Sequence, residues 1–156
     1  MSDTEIALRV VNILAAGIAA GGQILVALVL VPVKRMWPRE LALRLHQDAL
    51  ITLPDRYLRP TVGVSFISAI IVLAVQDDRT GAGGLLTGAG ILSTLGLIIT
   101  AQFHNFRINR IVADLAPDPF PEEYAQLAHQ WDVAHVTRTV FGTLAFVLYL
   151  LAAVVR

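Results

Sequence analysis

The sequence predicts an all-α protein: a four-helix transmembrane bundle with a short interfacial helix between spans 1 and 2 and an extended fourth helix. Three observations carry this. Of 156 residues, 56% are hydrophobic and 15% charged, with a mean hydropathy of +0.67, so polar side chains are too few to cover a water-soluble globule. The apolar residues gather into four runs of about bilayer-spanning length, near 10–33, 60–76, 81–103 and 136–155. Polar residues beside those runs recur three, four or seven positions apart, the spacing of a helix face. No internal repeat or low-complexity stretch divides the chain, which leaves a single transmembrane domain, 1–156.

The first span is broken only by Asn12 and Gln23 and closed by Pro32 and the Lys34–Arg35 pair. At about 1.5 Å per residue it crosses the hydrocarbon with some tilt. Because MSDTEI is acidic and no small-residue cleavage site follows, this run is expected to be retained and not removed as a leader. Gln23 shares a face with Asn12, Ala16, Ala19 and Ala20, a narrow stripe suited either to an interhelical hydrogen bond or to a pocket wall. Gly17 and Gly21, like Gly84 and Gly88 in the third span, have the small-xxx-small spacing that lets helix backbones approach.

Residues 37–53 place Ala42, Ala49, Leu50 and Leu53 on one face and stop at Pro54, the pattern of a short amphipathic helix at the interface. His46 lies on the same face, either turned inward or left exposed. The second span is near the lower limit of roughly 17 residues and extends upstream through Tyr57 and Leu58. Only Asp77, Asp78, Arg79 and Thr80 separate it from the third, a tight antiparallel turn. Asp118 to Glu123, with two prolines and three acids, starts the last helix. No Gly or Pro then occurs until Gly142, which predicts one continuous helix from Pro121 to Val155. Its length, on the order of 50 Å, exceeds the roughly 30 Å hydrocarbon core, so its first part projects beyond the membrane.

Twelve Lys and Arg balance twelve Asp and Glu, so the broad positive field that nucleic acid requires is missing. The absence of Cys removes disulfides, thiolate metal sites and cysteine nucleophiles. Arg9, Arg79 and Arg156 fall at the end that holds the termini. Lys34, Arg35, Arg39, Arg44, Arg56, Arg59, Arg107, Arg110 and Arg138 fall at the other. This bias predicts an inner (plasma) membrane protein with its long connections in the cytoplasm and both termini outside it. Self-association into a homo-oligomer is left open.

Polar groups concentrate on both sides of the connection between spans 3 and 4. Gln102, Asn105 and Asn109 fall within about 60° of one another on a helical wheel, while His104 and Arg107 point away. Trp131, His135, Arg138 and Gly142 share one face of the last helix, with Gly142 leaving open volume just deeper than the guanidinium. An imidazole, a guanidinium and amides in lipid must be compensated, which marks these residues as the candidate site. The structural alternatives are capping for the asparagines, snorkelling for Arg138, an aromatic belt for Trp131 and a headgroup contact for His104. His129 has no evident role.

From Gln102 to Val155 the chain resembles the C-terminal half of the anthrone oxygenase family of small four-span membrane proteins. The positions that carry the resemblance are Phe103 and Asn105, Asn109 at the next turn, a polar loop, Trp131, and then His135, Arg138 and Thr139 opening the last span. The first half fits more loosely, through Pro32 and the helix holding His46, and Arg107 stands where the family often has proline. The resemblance implies oxidation of an anthrone-type polycyclic phenol to a quinone, with dioxygen as co-substrate and no metal or flavin. An anthrone is a ketone acidic enough to form an electron-rich enolate, so the protein need only remove a proton and hold the anion. On that reading His135 or His46 is the base, and Arg138, Asn105 and Asn109 donate to the enolate oxygen. Trp131 stacks on the rings, and Gln102 and Gln23 complete the substrate pocket. The expected partners are the lipid bilayer and a lipophilic small molecule. Two other classes stay open: a haem or metal held between helices by His46, His104 and His135, and a non-enzymatic accessory subunit whose polar cluster locks the helices together.

Overall fold

The computed structural model describes residues 2–155, apart from the side chains of residues 53–55. Its four long helices are α1 (Asp3–Met36), α2 (Arg39–Val75), α3 (Ala82–Ala113) and α4 (Tyr124–Val154), each long and apolar enough to cross a membrane. The predicted four-helix transmembrane bundle is therefore the fold, and the chain is a multi-pass membrane protein. Each helix packs on its neighbour in sequence and α4 closes the ring against α1; of these contacts α3 with α4 is the most extensive and α2 with α3 the least. Leu14, Ile18, Leu28, Ile67, Leu85, Leu92 and Val140 are exposed on the outside, where lipid would solvate them, while small residues such as Ala16, Ala19, Ala20, Ala69 and Ala145 fill the interior.

The helices outrun the apolar runs that predicted them. α1 starts at Asp3 because Ser2 Oγ accepts from the Glu5 amide and Glu5 pairs with Arg9 one turn on, at 3.0 Å. The helix expected over 37–53 is present from Arg39, with Ala42, His46 and Leu50 buried, but it does not end at Pro54. It continues through His46–Ile51 into Thr52–Val75. Pro54 is the third residue of that last stretch, directly after the wide turn, and the helix runs on through it. Leu53, placed on the buried face by the sequence, lies outside the described side chains. α3 carries on past Phe103 to Ala113, and α4 begins at Tyr124 and not at Pro121. The turn between α2 and α3 is closed by Asp78 Oδ1, which accepts from the Thr80 and Gly81 amides.

Three stretches are wound more widely than an α-helix, with each N–H reaching five residues back: Val26–Leu30, His46–Ile51 and Ala101–Asn105. Each inserts a residue into its helix and rotates everything beyond it. They border one core cluster that joins Val26, Leu43, Leu50, Ile108, Val112 and Tyr124 to Trp131.

The glycine pairs act differently from the expectation of close backbones. Gly21 and Gly88 face open space, and Gly84 meets the Arg79 carbonyl of its own turn. Three close approaches are between glycines and rings: Gly17 receives Phe146, while Gly90 and Gly96 on α3 receive Tyr149 and Phe141 of α4; Gly22 meets Leu58, and Gly83 meets the Val155 carbonyl. Tyr149 also bonds Thr94 through its hydroxyl at 2.9 Å, and Ser93 Oγ donates to the Phe141 carbonyl at 2.8 Å. Asn12 Nδ2 donates to the Ser65 carbonyl at 2.7 Å, tying α1 to α2. At the end holding the termini, Arg9 donates to Glu5, to Gln76 Oε1 and to the Ala152 carbonyl, joining α1, α2 and α4.

Candidate functional site

Trp131 is fully buried on α4, and the predicted polar residues gather round it. His135, one turn later, stacks on the indole with ring centroids 5.0 Å apart and planes 7° off parallel. From α2, His46 meets it edge-on at 4.9 Å. From α3, Asn109 Oδ1 accepts the indole N–H at 2.7 Å, and Asn105 Nδ2 donates to the Trp131 carbonyl at 3.4 Å. The faces read from helical spacing thus bring His46, Asn105, Asn109, Trp131 and His135 together. They form a packed cluster, not the lining of a cavity.

The sequence reading missed an ion pair beneath this cluster. Lys34 Nζ, 5.1 Å from the centre of the indole, donates to Asp132 Oδ1 at 2.6 Å, and Arg35 donates to Asp132 Oδ2 at 3.0 Å. Lys34 and Asp132 are both buried. Lys34 is therefore more than the orientation marker its sequence position suggests. The available signal was an acid beside Trp131 and a basic pair closing the first span, but only the topology places them together.

Hydrogen-bond partners define the state of both buried histidines. Arg138 Nε donates to His135 Nδ1 at 3.0 Å, and a guanidinium has no acceptor, so Nδ1 carries no proton. His135 Nε2–H then donates to the Gln23 carbonyl at 3.1 Å, and the ring is a neutral imidazole with both nitrogens engaged. Tyr124 spends its hydroxyl proton on the Ala42 carbonyl at 2.9 Å. His46 Nδ1, 3.5 Å from that hydroxyl oxygen, is consequently the donor, and His46 Nε2 is a buried lone pair without a hydrogen-bond partner among the described residues. Gln23 Oε1 and Asn105 Oδ1 are likewise buried with no hydrogen-bond partner among the described residues.

A cavity of about 220 Å³ opens beside Arg138. Gln23 of α1, Arg59 of α2, Gln102 of α3 and Arg138 of α4 supply its polar groups; Leu58, Val62, Leu97, Ile98, Ala101 and Phe106 supply apolar walls, and Gly63 lines it as well. Its buried members, among them Gln23, Leu97 and Arg138, lie deep, whereas its exposed members, Arg59 and Gln102, sit on α2 and α3. The mouth is therefore between α2 and α3, the loosest neighbouring pair.

The predicted site residues divide accordingly. Gln23, Gln102 and Arg138 line the cavity. His135 stands behind Arg138, and Asn105, Asn109, Trp131 and His46 stand further back. Trp131 has no exposed surface, so the aromatic ring at the cavity is Phe106, with the Arg59 guanidinium 4.2 Å over it. Gln102 does not share the buried face of Asn105 and Asn109, because the wide turn at Ala101–Asn105 rotates one against the others. Gly142 leaves no open volume: a Cβ there would meet the Gln23 amide at 3.2 Å and Leu97 at 3.0 Å. His104, Arg107 and His129 are exposed, which separates His104 from His46 and His135. Among the described residues no group of three His, Asp or Glu is placed to hold a metal ion.

Residues 50–148 match the sequence model of the family described as Anthrone oxygenase, a segment holding the cavity walls from α2 and α3, the Asn105–Asn109 pair, Trp131, His135 and Arg138. No curated protein and no solved structure matches the chain.

Proposed function

The chain belongs to the anthrone oxygenase family, and from that premise we propose that it is a membrane-embedded oxygenase that converts a lipophilic, anthrone-like polycyclic phenol to its quinone with dioxygen. The observation that carries this reading is the largely apolar cavity that opens between α2 and α3, with the guanidinium of Arg138 in its wall and a neutral His135 hydrogen-bonded behind it. Arg138 meets the negative charge that develops on the ketone oxygen, through the conjugated rings, as the methylene at the opposite position of the central ring is deprotonated, a contribution that is large where water is scarce. His135 Nδ1 takes that proton as the Arg138 Nε–H bond yields toward the anion. The enolate carbon then bonds to dioxygen, giving a peroxide that recovers the proton. Loss of the second hydrogen with cleavage of the O–O bond leaves the quinone carbonyl and one water, so the carbon loses two hydrogens and gains one oxygen atom. Dioxygen is the sole oxidant this chemistry asks for.

Trp131, Asn105, Asn109 and His46 serve this reading as positioning groups that hold the His135 ring by stacking and hydrogen bonds. The basic bias of the long connections supports a cytoplasmic-leaflet location for the cavity. The test is oxygen uptake and quinone absorbance with an anthrone and protein reconstituted in lipid nanodiscs. Turnover above the uncatalysed rate is expected, and Arg138→Leu should abolish it while the helical signal persists. An inert wild-type protein, or a fully active variant, would overturn the reading.

A second reading, an accessory subunit whose cluster locks the helices, is favoured by the dense bonding around Trp131. It predicts that His135→Ala lowers thermal stability, with no oxygen uptake in the wild type.

A further inference from the structure

Arg59 lies at the mouth of the same cavity, on the opposite wall from the Arg138–His135 pair. Among the described residues no carboxylate meets it. Its guanidinium carbon sits 4.2 Å over the ring of Phe106, which also lines the cavity. An arginine anchoring a span to headgroups would extend away from the bundle. Here the cation is folded back over an aromatic wall, a modest attraction that an acidic oxygen exceeds readily, since a guanidinium grips a carboxylate or phenolate by charge-assisted hydrogen bonds.

We propose that the molecule taken by this cavity carries, besides the carbonyl facing Arg138, a second acidic oxygen group at its far edge, and that Arg59 selects it while Phe106 stacks on the rings. The identity of the reacting molecule as an anthrone rests on the oxygenase reading; the preference for a flat acid does not. A cavity walled by apolar side chains attracts many flat hydrocarbons without distinction, so a cation at the rim is what separates an acidic polycycle from a neutral one.

The test is equilibrium binding of two unreactive probes, an anthraquinone carboxylic acid and the matching primary amide, to protein in nanodiscs of zwitterionic lipid. Wild type is expected to favour the acid by on the order of tenfold. Arg59→Leu should bring the ratio to one, Arg59→Lys should restore part of it, and Phe106→Leu should weaken both probes alike. A hydroxyanthraquinone tells a phenolate preference from a carboxylate one. An acid preference missing from wild type, or undiminished in Arg59→Leu, overturns the proposal, and the Lys variant keeps it falsifiable should the Leu variant fold poorly. Oxygen uptake with an anthrone is measured separately: if it is absent while the acid preference stands, the oxygenase reading fails and this one holds.

Discussion

Gly63 offers a way to fill the cavity without disturbing the bundle. It lines the cavity from α2, and a Cβ there would meet nothing within 4 Å among the described residues. Gly63→Leu should therefore place its side chain in the cavity and not against a neighbouring helix. Two effects of opposite sign follow. Replacing glycine by leucine inside a helix removes a backbone entropy cost of about 0.8–1 kcal/mol, which corresponds to a rise of roughly 2–4 °C in Tm for a chain of this size. A leucine side chain also brings about four CH2-sized carbons into the space the substrate needs, and at about 0.8 kcal/mol for each displaced substrate carbon the lost burial is about 3 kcal/mol. That predicts a fall in kcat/KM on the order of a hundredfold. Thermal melting of the nanodisc-reconstituted variant and steady-state oxygen uptake measure the two quantities on one sample. A variant that is at least as stable as wild type yet keeps kcat/KM within about threefold would refute the assignment of this cavity as the substrate site.

Other perturbations separate the cluster from the cavity. Asp132→Asn leaves the buried Lys34 ammonium without its carboxylate and should cost about 3–5 kcal/mol in stability, with the double variant Lys34→Met, Asp132→Leu recovering much of the loss; equal losses in both would contradict the pairing. Trp131→Phe strands Asn109 Oδ1 in the interior and should destabilise by about 1–3 kcal/mol, read by chemical or thermal unfolding. Arg9→Gln, at the opposite end, removes the donor that joins Glu5, Gln76 and Ala152; it should lower Tm while kcat/KM per folded molecule is unchanged, and a selective loss of kcat/KM would mean the two ends communicate.

Helix faces were legible in the sequence wherever the winding stayed regular. Asn12, Ala16, Ala19, Ala20 and Gln23 are all buried on α1, as their spacing demands, and Trp131, His135 and Arg138 do share the inward face of α4. The face of Gln102, Asn105 and Asn109 was read correctly only in part, because an inserted residue leaves no mark in hydrophobic periodicity and shifts Gln102 out of line. Pro54 misleads for a related reason: it directly follows a wide turn, and the helix runs on through it. The Lys34–Asp132 pair and the gap lined by Arg59, Gly63 and Phe106 depend on which helices become neighbours and how loosely, information that no single segment holds.

Under the proposed function, a cavity mouth between α2 and α3 lets reactant and product exchange with the hydrocarbon phase and not with bulk water. The quantity governing saturation is then the mole fraction of substrate dissolved in the bilayer. Adding vesicles or detergent at constant total substrate dilutes the reactant in two dimensions and raises any half-saturation value expressed per litre of buffer. Kinetic comparisons between preparations are meaningful only at matched lipid content.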